Sequence, residues 1–181
     1  SYHGVNFRER FEDQAFIANL RARGLRDLGS AQSPFDSFLN LKGLETLPLR
    51  MEKHCENAME VAEFLRDHSE VEWVNYPGLD SHPTHNLASR YLEHGYGGMI
   101  SFGAKGGYEA GKDAMESVDL ISFLANVGDA KSLIIHPSST THQQLSREEK
   151  KNAGITDDAL RLSVGIEDPE DIKDDLNVAL T

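Results

Sequence analysis

The chain has 181 residues, enough for one ordinary domain with its own core, or a domain plus a short extension. With 39% hydrophobic and 27% charged residues it reads as a globular protein and not a disordered one, and no apolar run approaches the roughly 20 residues a membrane helix needs. Its 30 acidic against 18 basic residues give a net charge of −12, which argues against nucleic acid or an anionic membrane as partner.

The opening residues, Ser1-Tyr2-His3-Gly4-Val5-Asn6-Phe7-Arg8, have neither a basic n-region nor an apolar h-region, so no secretory leader is expected. An irregular lead-in gives way to a helix predicted from about Phe11 to Leu28, with Phe16, Ile17, Leu20 and Leu28 on its apolar side and Gly29 as its stop. Ser33-Pro34 starts a second helix. Ser caps, Pro suits the first helical position and Asp36 complements the first turn. Phe35, Phe38, Leu39, Leu41 and Leu44 make it too apolar for an ordinary surface helix. Pro48 opens a third helix to about Asp67, with Met51, Cys55, Ala58, Met59, Ala62 and Leu65 on one face. Cys55 is the only cysteine, so no intramolecular disulfide forms; it reads as a small buried hydrophobe and agrees with a cytoplasmic location.

From residue 70 short strands alternate with helices. Strands are predicted at Val71–Tyr76, Met99–Ala104, Leu120–Phe123, Ser132–His136 and Leu160–Ile166. Helices are predicted at Pro83–Glu93, Gly107–Val118 and Ser146–Asn152, the last with the Ser146/Glu149 capping-box pattern. A final helix is capped by Asp168 and led by Pro169. The fold class is α+β, with helices on one face of a small, largely antiparallel sheet.

In the last strand Leu160, Leu162, Val164 and Ile166 point one way and Arg161, Ser163 and Gly165 the other. Arg161 is therefore a candidate anion ligand, since a strand-borne guanidinium offers a planar fork that matches a carboxylate. Spacing alone favours an ordinary surface arginine. Gly128-Asp129-Ala130-Lys131-Ser132-Leu133 leads into a buried-looking strand, and its small residues would let backbone approach a ligand, although spacing alone favours a plain loop-to-strand connection. His82/His85 and His136/His142 have no acidic or cysteine partner at metal-site spacing, so they read as hydrogen-bonded structural histidines, with no metal expected. Gly103-Ala104-Lys105-Gly106-Gly107 is a turn with helix entry and not a phosphate-binding loop.

Ser33-Pro34-Phe35-Asp36, Gly43-Leu44-Glu45-Thr46-Leu47 and Arg50-Met51-Glu52-Lys53-His54 resemble the junction helix of the pyridoxal phosphate (PLP)-dependent Cys/Met metabolism enzymes. Tyr76-Pro77-Gly78-Leu79, Ser81-His82-Pro83, Thr140-Thr141-His142 and Leu160 to Glu167 continue the match in order. Lys105-Gly106-Gly107, Glu109-Ala110-Gly111, Gly128 to Leu133 and Ile135-His136-Pro137 are most similar to the O-acetylhomoserine sulfhydrylase branch.

The resemblance implies the C-terminal domain of an aspartate aminotransferase-like PLP transferase: 1–30 as the tail of the PLP-binding large domain, 31–47 as the junction helix and 48–181 as the small domain. It implies that Arg161 binds the substrate α-carboxylate, assisted by Ser132 and the backbone at Leu133, with Thr141 nearby. The implied reaction is γ-replacement, turning O-acetylhomoserine plus sulfide or a thiol into homocysteine or methionine, with PLP as cofactor in a cytoplasmic homo-oligomer, a tetramer in the family. The family's cofactor lysine follows a Ser-Ala/Ser-Thr motif, and no lysine of this chain does. The chain is thus expected to supply no catalytic or cofactor-binding residue of its own and to need an N-terminal PLP-binding half as partner. A cystathionine γ-synthase or γ-lyase fragment, or a non-catalytic carboxylate-binding or association module, stays open.

Overall fold

The structure, a computed structural model, describes residues 2–181, so Ser1 of the opening motif lies outside the described residues. The chain divides into two compact units, Ser1–Thr46 and Leu47–Thr181.

In the first unit the predicted Phe11–Leu28 helix is broken up. Helix α1 (Phe7–Phe11), capped by the Asn6 side chain, ends at Glu12, whose φ of 45° no helix continues. A 3₁₀ turn, a short α2 (Ala15–Asn19) and a π-type segment over Leu20–Asp27 follow. Helix α3 (Pro34–Glu45) starts as its sequence dictates, the Ser33 hydroxyl accepting the Asp36 N–H at 3.1 Å. No described residue of this unit is buried, and Phe16, Leu28 and Phe35 are each at least two-thirds exposed. Without a buried face, nothing selects one regular hydrogen-bonding pattern over another along residues 7–27.

The second unit carries the core. Helix α4 (Leu47–Asp67) buries His54, Asn57, Ala58, Val61, Ala62 and Leu65. The predicted stripe was rotated, because Met51 is exposed and Cys55 and Met59 only half-buried. Two polar residues take the inner face since they have partners there. His54 Nδ1–H donates to the Val164 carbonyl (2.6 Å), and Asn57 Nδ2 donates to the carbonyls of Gly165 (3.1 Å) and Glu167 (2.7 Å).

Five strands form one mixed, mostly antiparallel sheet in the order β1-β2-β5-β4-β3: β1 (Val71–Asn75), β2 (Met99–Ala104), β3 (Ser122–Phe123), β4 (Leu133–Ile135) and β5 (Ala159–Ser163). Only the β3–β4 pair is parallel. Ile100, Phe102, Ile134, Leu160 and Leu162 point to one face and pack with α4, α6 (Gly107–Ser117) and α8 (Pro169–Leu180), whose Ala114, Met115, Ile172 and Leu176 are buried. Helix α5 (His85–Tyr91) and α7 (Arg147–Asn152) are short, and the Ser146/Glu149 capping box of α7 is formed. Strand β5 stops at Ser163, so Ile166 does not join the apolar face and is 37% exposed. The segment 164–167 turns away to meet α4 and the 128–132 loop.

Candidate functional site

Directly paired residues of a sheet share a face. The pairs Asn75↔Ser101, Ser101↔Arg161 and Ile135↔Arg161 therefore line up one row across β1, β2, β5 and β4, on the face turned away from the helices. Only small or polar side chains of this row stand beside Arg161 on the β2 and β1 side. Loop residues border the face, and together they enclose a cavity of about 370 Å³ lined by Arg161, Ser101, Asn75, Trp73, Thr141 and His142 among others.

Arg161 is half-buried and its guanidinium has no hydrogen-bond or ion-pair partner among the described residues. None of the residues lining its cavity is acidic, although the chain carries 30 carboxylates. An unpaired arginine in a concave site lined by no acid has the chemistry to accept an anion. Beyond Gly154 and Ile155 a second cavity adds Arg147, Lys150 and Lys151 together with Asp157, whose carboxylate lies 3.8 Å from the Arg147 guanidinium. Lys150 is spoken for, donating to the Ser138 carbonyl (2.8 Å) and hydroxyl (3.0 Å).

Trp73 lies over Gly103 and its indole N–H donates to Asp158 at 2.7 Å. A Cβ on Gly103 would collide with both the indole and that carboxylate, so the glycine makes room for the aromatic wall. Thr141 is exposed at the cavity edge, its hydroxyl 2.8 Å from His142 Nδ1.

Ser132 and Leu133 are placed differently. The Ser132 hydroxyl is fully buried, donates to Glu167 (3.0 Å) and accepts the Gly165 N–H (2.8 Å), while its own N–H donates to the other Glu167 oxygen at 2.6 Å. The Glu167 carboxylate thus occupies Ser132 from inside the protein, and Ser132 does not line the Arg161 cavity. Leu133, paired with Ser163, opens β4 beside β5 and is 2% exposed. Ser132 and Glu167 hold the start of β4, and with it the strand beside Arg161.

The histidines divide into two kinds. His136 is fully buried, with Nε2–H donating to the Asp157 carbonyl and Nδ1 facing the Ser139 hydroxyl, both at 2.8 Å. His142 instead lines the cavity, a position that its place in a loop did not reveal. Asn75, Ser101 and Trp73 were also missed, and their alternation opposite Val74, Ile100 and Phe102 is the signal that could have found them. Among the described residues no group of three or more His, Cys, Asp or Glu side chains could hold a metal ion.

Comparison with known proteins adds a lineage. The family model described as Cys/Met metabolism PLP-dependent enzyme matches residues 4–181. O-acetyl-L-homoserine sulfhydrylase 1 of Thermus thermophilus and homocysteine synthase of Schizosaccharomyces pombe are each 50% identical over 99% of this chain and 42% of their own length. A solved structure from Campylobacter jejuni, described as an O-acetylhomoserine (thiol)-lyase with a pyridoxyl-lysine monophosphate, superposes with a TM-score of 0.86 at 44% identity, over 99% of this chain and 42% of that one. The chain spans about two-fifths of the length of the relatives it matches.

Proposed function

The chain belongs to the Cys/Met metabolism PLP-dependent enzyme family, and we propose that it supplies the substrate-carboxylate site of an O-acetylhomoserine sulfhydrylase. In this reading the whole enzyme exchanges the acetoxy group of O-acetylhomoserine for sulfide or a thiol, giving homocysteine or methionine. The observation that carries it is Arg161, half-buried, without a partner among the described residues and in an acid-free cavity. Arg161 binds the α-carboxylate through its planar fork and thereby fixes the orientation of the Cα–H bond. Thr141 borders the same cavity; Ser132 and Leu133 act by holding β4 against β5.

The described residues do not by themselves fit the cofactor. No lysine lines the Arg161 cavity, so there is no amine there to hold PLP. We assign the cofactor lysine and phosphate contacts to an N-terminal PLP-binding portion. The domain reading follows: 1–30 as large-domain tail, 31–47 as junction helix, and 48–181 as the small domain of an aspartate aminotransferase-like fold, in a homo-oligomeric enzyme. The sulfhydrylase names of the relatives and the family match support the reaction, and the two-fifths of the relatives' length that the chain spans supports a further PLP-binding portion.

The test is Arg161→Ala in the full-length enzyme. The KM for O-acetylhomoserine should rise at least 100-fold, consistent with losing a charge-assisted bidentate contact of about 3 kcal/mol or more. Visible absorbance of the bound cofactor should persist. An unchanged KM would overturn the assignment.

A further inference from the structure

The Arg161 row holds more donors than one carboxylate can use. Ser101 stands one strand spacing from Arg161 and Asn75 two, roughly 5 and 10 Å across the sheet. The orientation of Asn75 is fixed from outside the cavity. The backbone N–H of Thr84 donates to His82 Nδ1 at 3.2 Å, which requires that nitrogen to be unprotonated. His82 therefore carries its proton on Nε2 and donates it to Asn75 Oδ1 at 2.7 Å. The Asn75 oxygen thus accepts from His82, and the amide nitrogen, with two N–H groups, is available at the cavity that Asn75 lines. Neither that nitrogen nor the Ser101 hydroxyl has a partner among the described residues. No lining residue supplies a carboxylate to answer them.

A single carboxylate seated on Arg161 cannot also reach Asn75. The row fits an elongated ligand with an anionic end and a second, neutral acceptor beyond it. Given the Arg161 reading proposed above, on which this rests, we infer that Asn75, oriented by His82, is a specificity determinant that receives the acyl-ester carbonyl of the substrate. Ser101 lies between the two ends. A site built to donate to that carbonyl discriminates against an analogue lacking it, because its donors then stay unpaired.

The experiment is a titration of the ¹⁵N-labelled chain, followed by NMR, with O-acetyl-L-homoserine and in parallel with L-homoserine, which has the same anionic end and no acyl group. Both ligands should move the Arg161 Nε–H resonance. Only the ester should move the Asn75 side-chain amide, and it should bind at least fivefold more tightly. Asn75→Ala, at an exposed position, should bring the two affinities within twofold while leaving the Arg161 response. His82→Ala should cut the ratio at least twofold and broaden the Asn75 amide signal; an unchanged ratio there removes the orienting role of His82. An Arg161 response with Asn75 silent, or a ratio preserved in Asn75→Ala, overturns this inference and leaves the Arg161 assignment standing. No Arg161 response to either ligand, together with an unchanged KM for Arg161→Ala in the full-length enzyme, overturns both.

Discussion

Glu167→Ala tests how the site is held. The Glu167 carboxylate accepts from the Ser132 N–H at 2.6 Å and from its hydroxyl at 3.0 Å. Hydrogen bonds to a charged group contribute about 1.5–3 kcal/mol each when well shielded. Glu167 is half-buried, so solvent screening takes roughly half of that away. Ser132 itself has no exposure, and leaving its N–H unpaired adds a desolvation cost of about 1 kcal/mol. The expected loss is therefore about 3 kcal/mol, equivalent to roughly 6–12 °C in Tm for a body of this size. Trp73, the only tryptophan, sits on β1 in the second unit, so fluorescence-detected urea unfolding reads the unfolding of that unit. Glu167→Gln keeps one acceptor and should lose about half as much. A Glu167→Ala change below about 0.5 kcal/mol with an unchanged m-value would show that the carboxylate does not hold this junction, and the reasoning would fail.

Two further outcomes follow from neighbouring geometry. Gly165→Ala would bring a Cβ within 2.5 Å of the Ala130 carbonyl and Ser132 N and into the Glu167 carboxylate, so it should destabilise by about 2–4 kcal/mol in the same urea assay. Burial, with smaller contributions from Cys55 and Tyr96, holds the Tyr76 phenol above the ordinary tyrosine range while its hydroxyl donates to the Gly97 carbonyl at 2.9 Å. Its folded pKa lies above its unfolded one. The stability it contributes is complete below about pH 10 and is lost as pH rises beyond that. An alkaline absorbance titration should show Tyr76 ionising only with unfolding, whereas its ionising before the fold is lost would contradict this.

Much of the element order was legible in the sequence because its signals are local. Ser33-Pro34, Ser146 with Glu149 and Asp168-Pro169 mark helix starts through contacts within four residues, and all three caps form. The alternation of Leu160 and Leu162 against Arg161 follows from the two-residue period of a strand, so the face of Arg161 could be read from residues 160–163 alone. The burial of His54 and Asn57 was not legible, since their partners at Val164, Gly165 and Glu167 lie more than 100 positions away. Nor was the turning of Ser132 toward Glu167, because two polar residues 35 positions apart carry no periodic signal.

What the sequence determined by itself is the set of elements, the apolar faces and, through shared motifs, the family. What only the tertiary structure decided is register. Pairing β1, β2 and β5 in one particular alignment puts Asn75, Ser101 and Arg161 in a single row, and a slip of one residue would send each to the opposite face. That choice is made by the burial of Ile100, Phe102, Leu160 and Leu162 together against the helices, a sum over contacts distant in sequence. The same dependence on distant contacts explains residues 7–27, where the predicted periodicity was real but no buried face was present to enforce it.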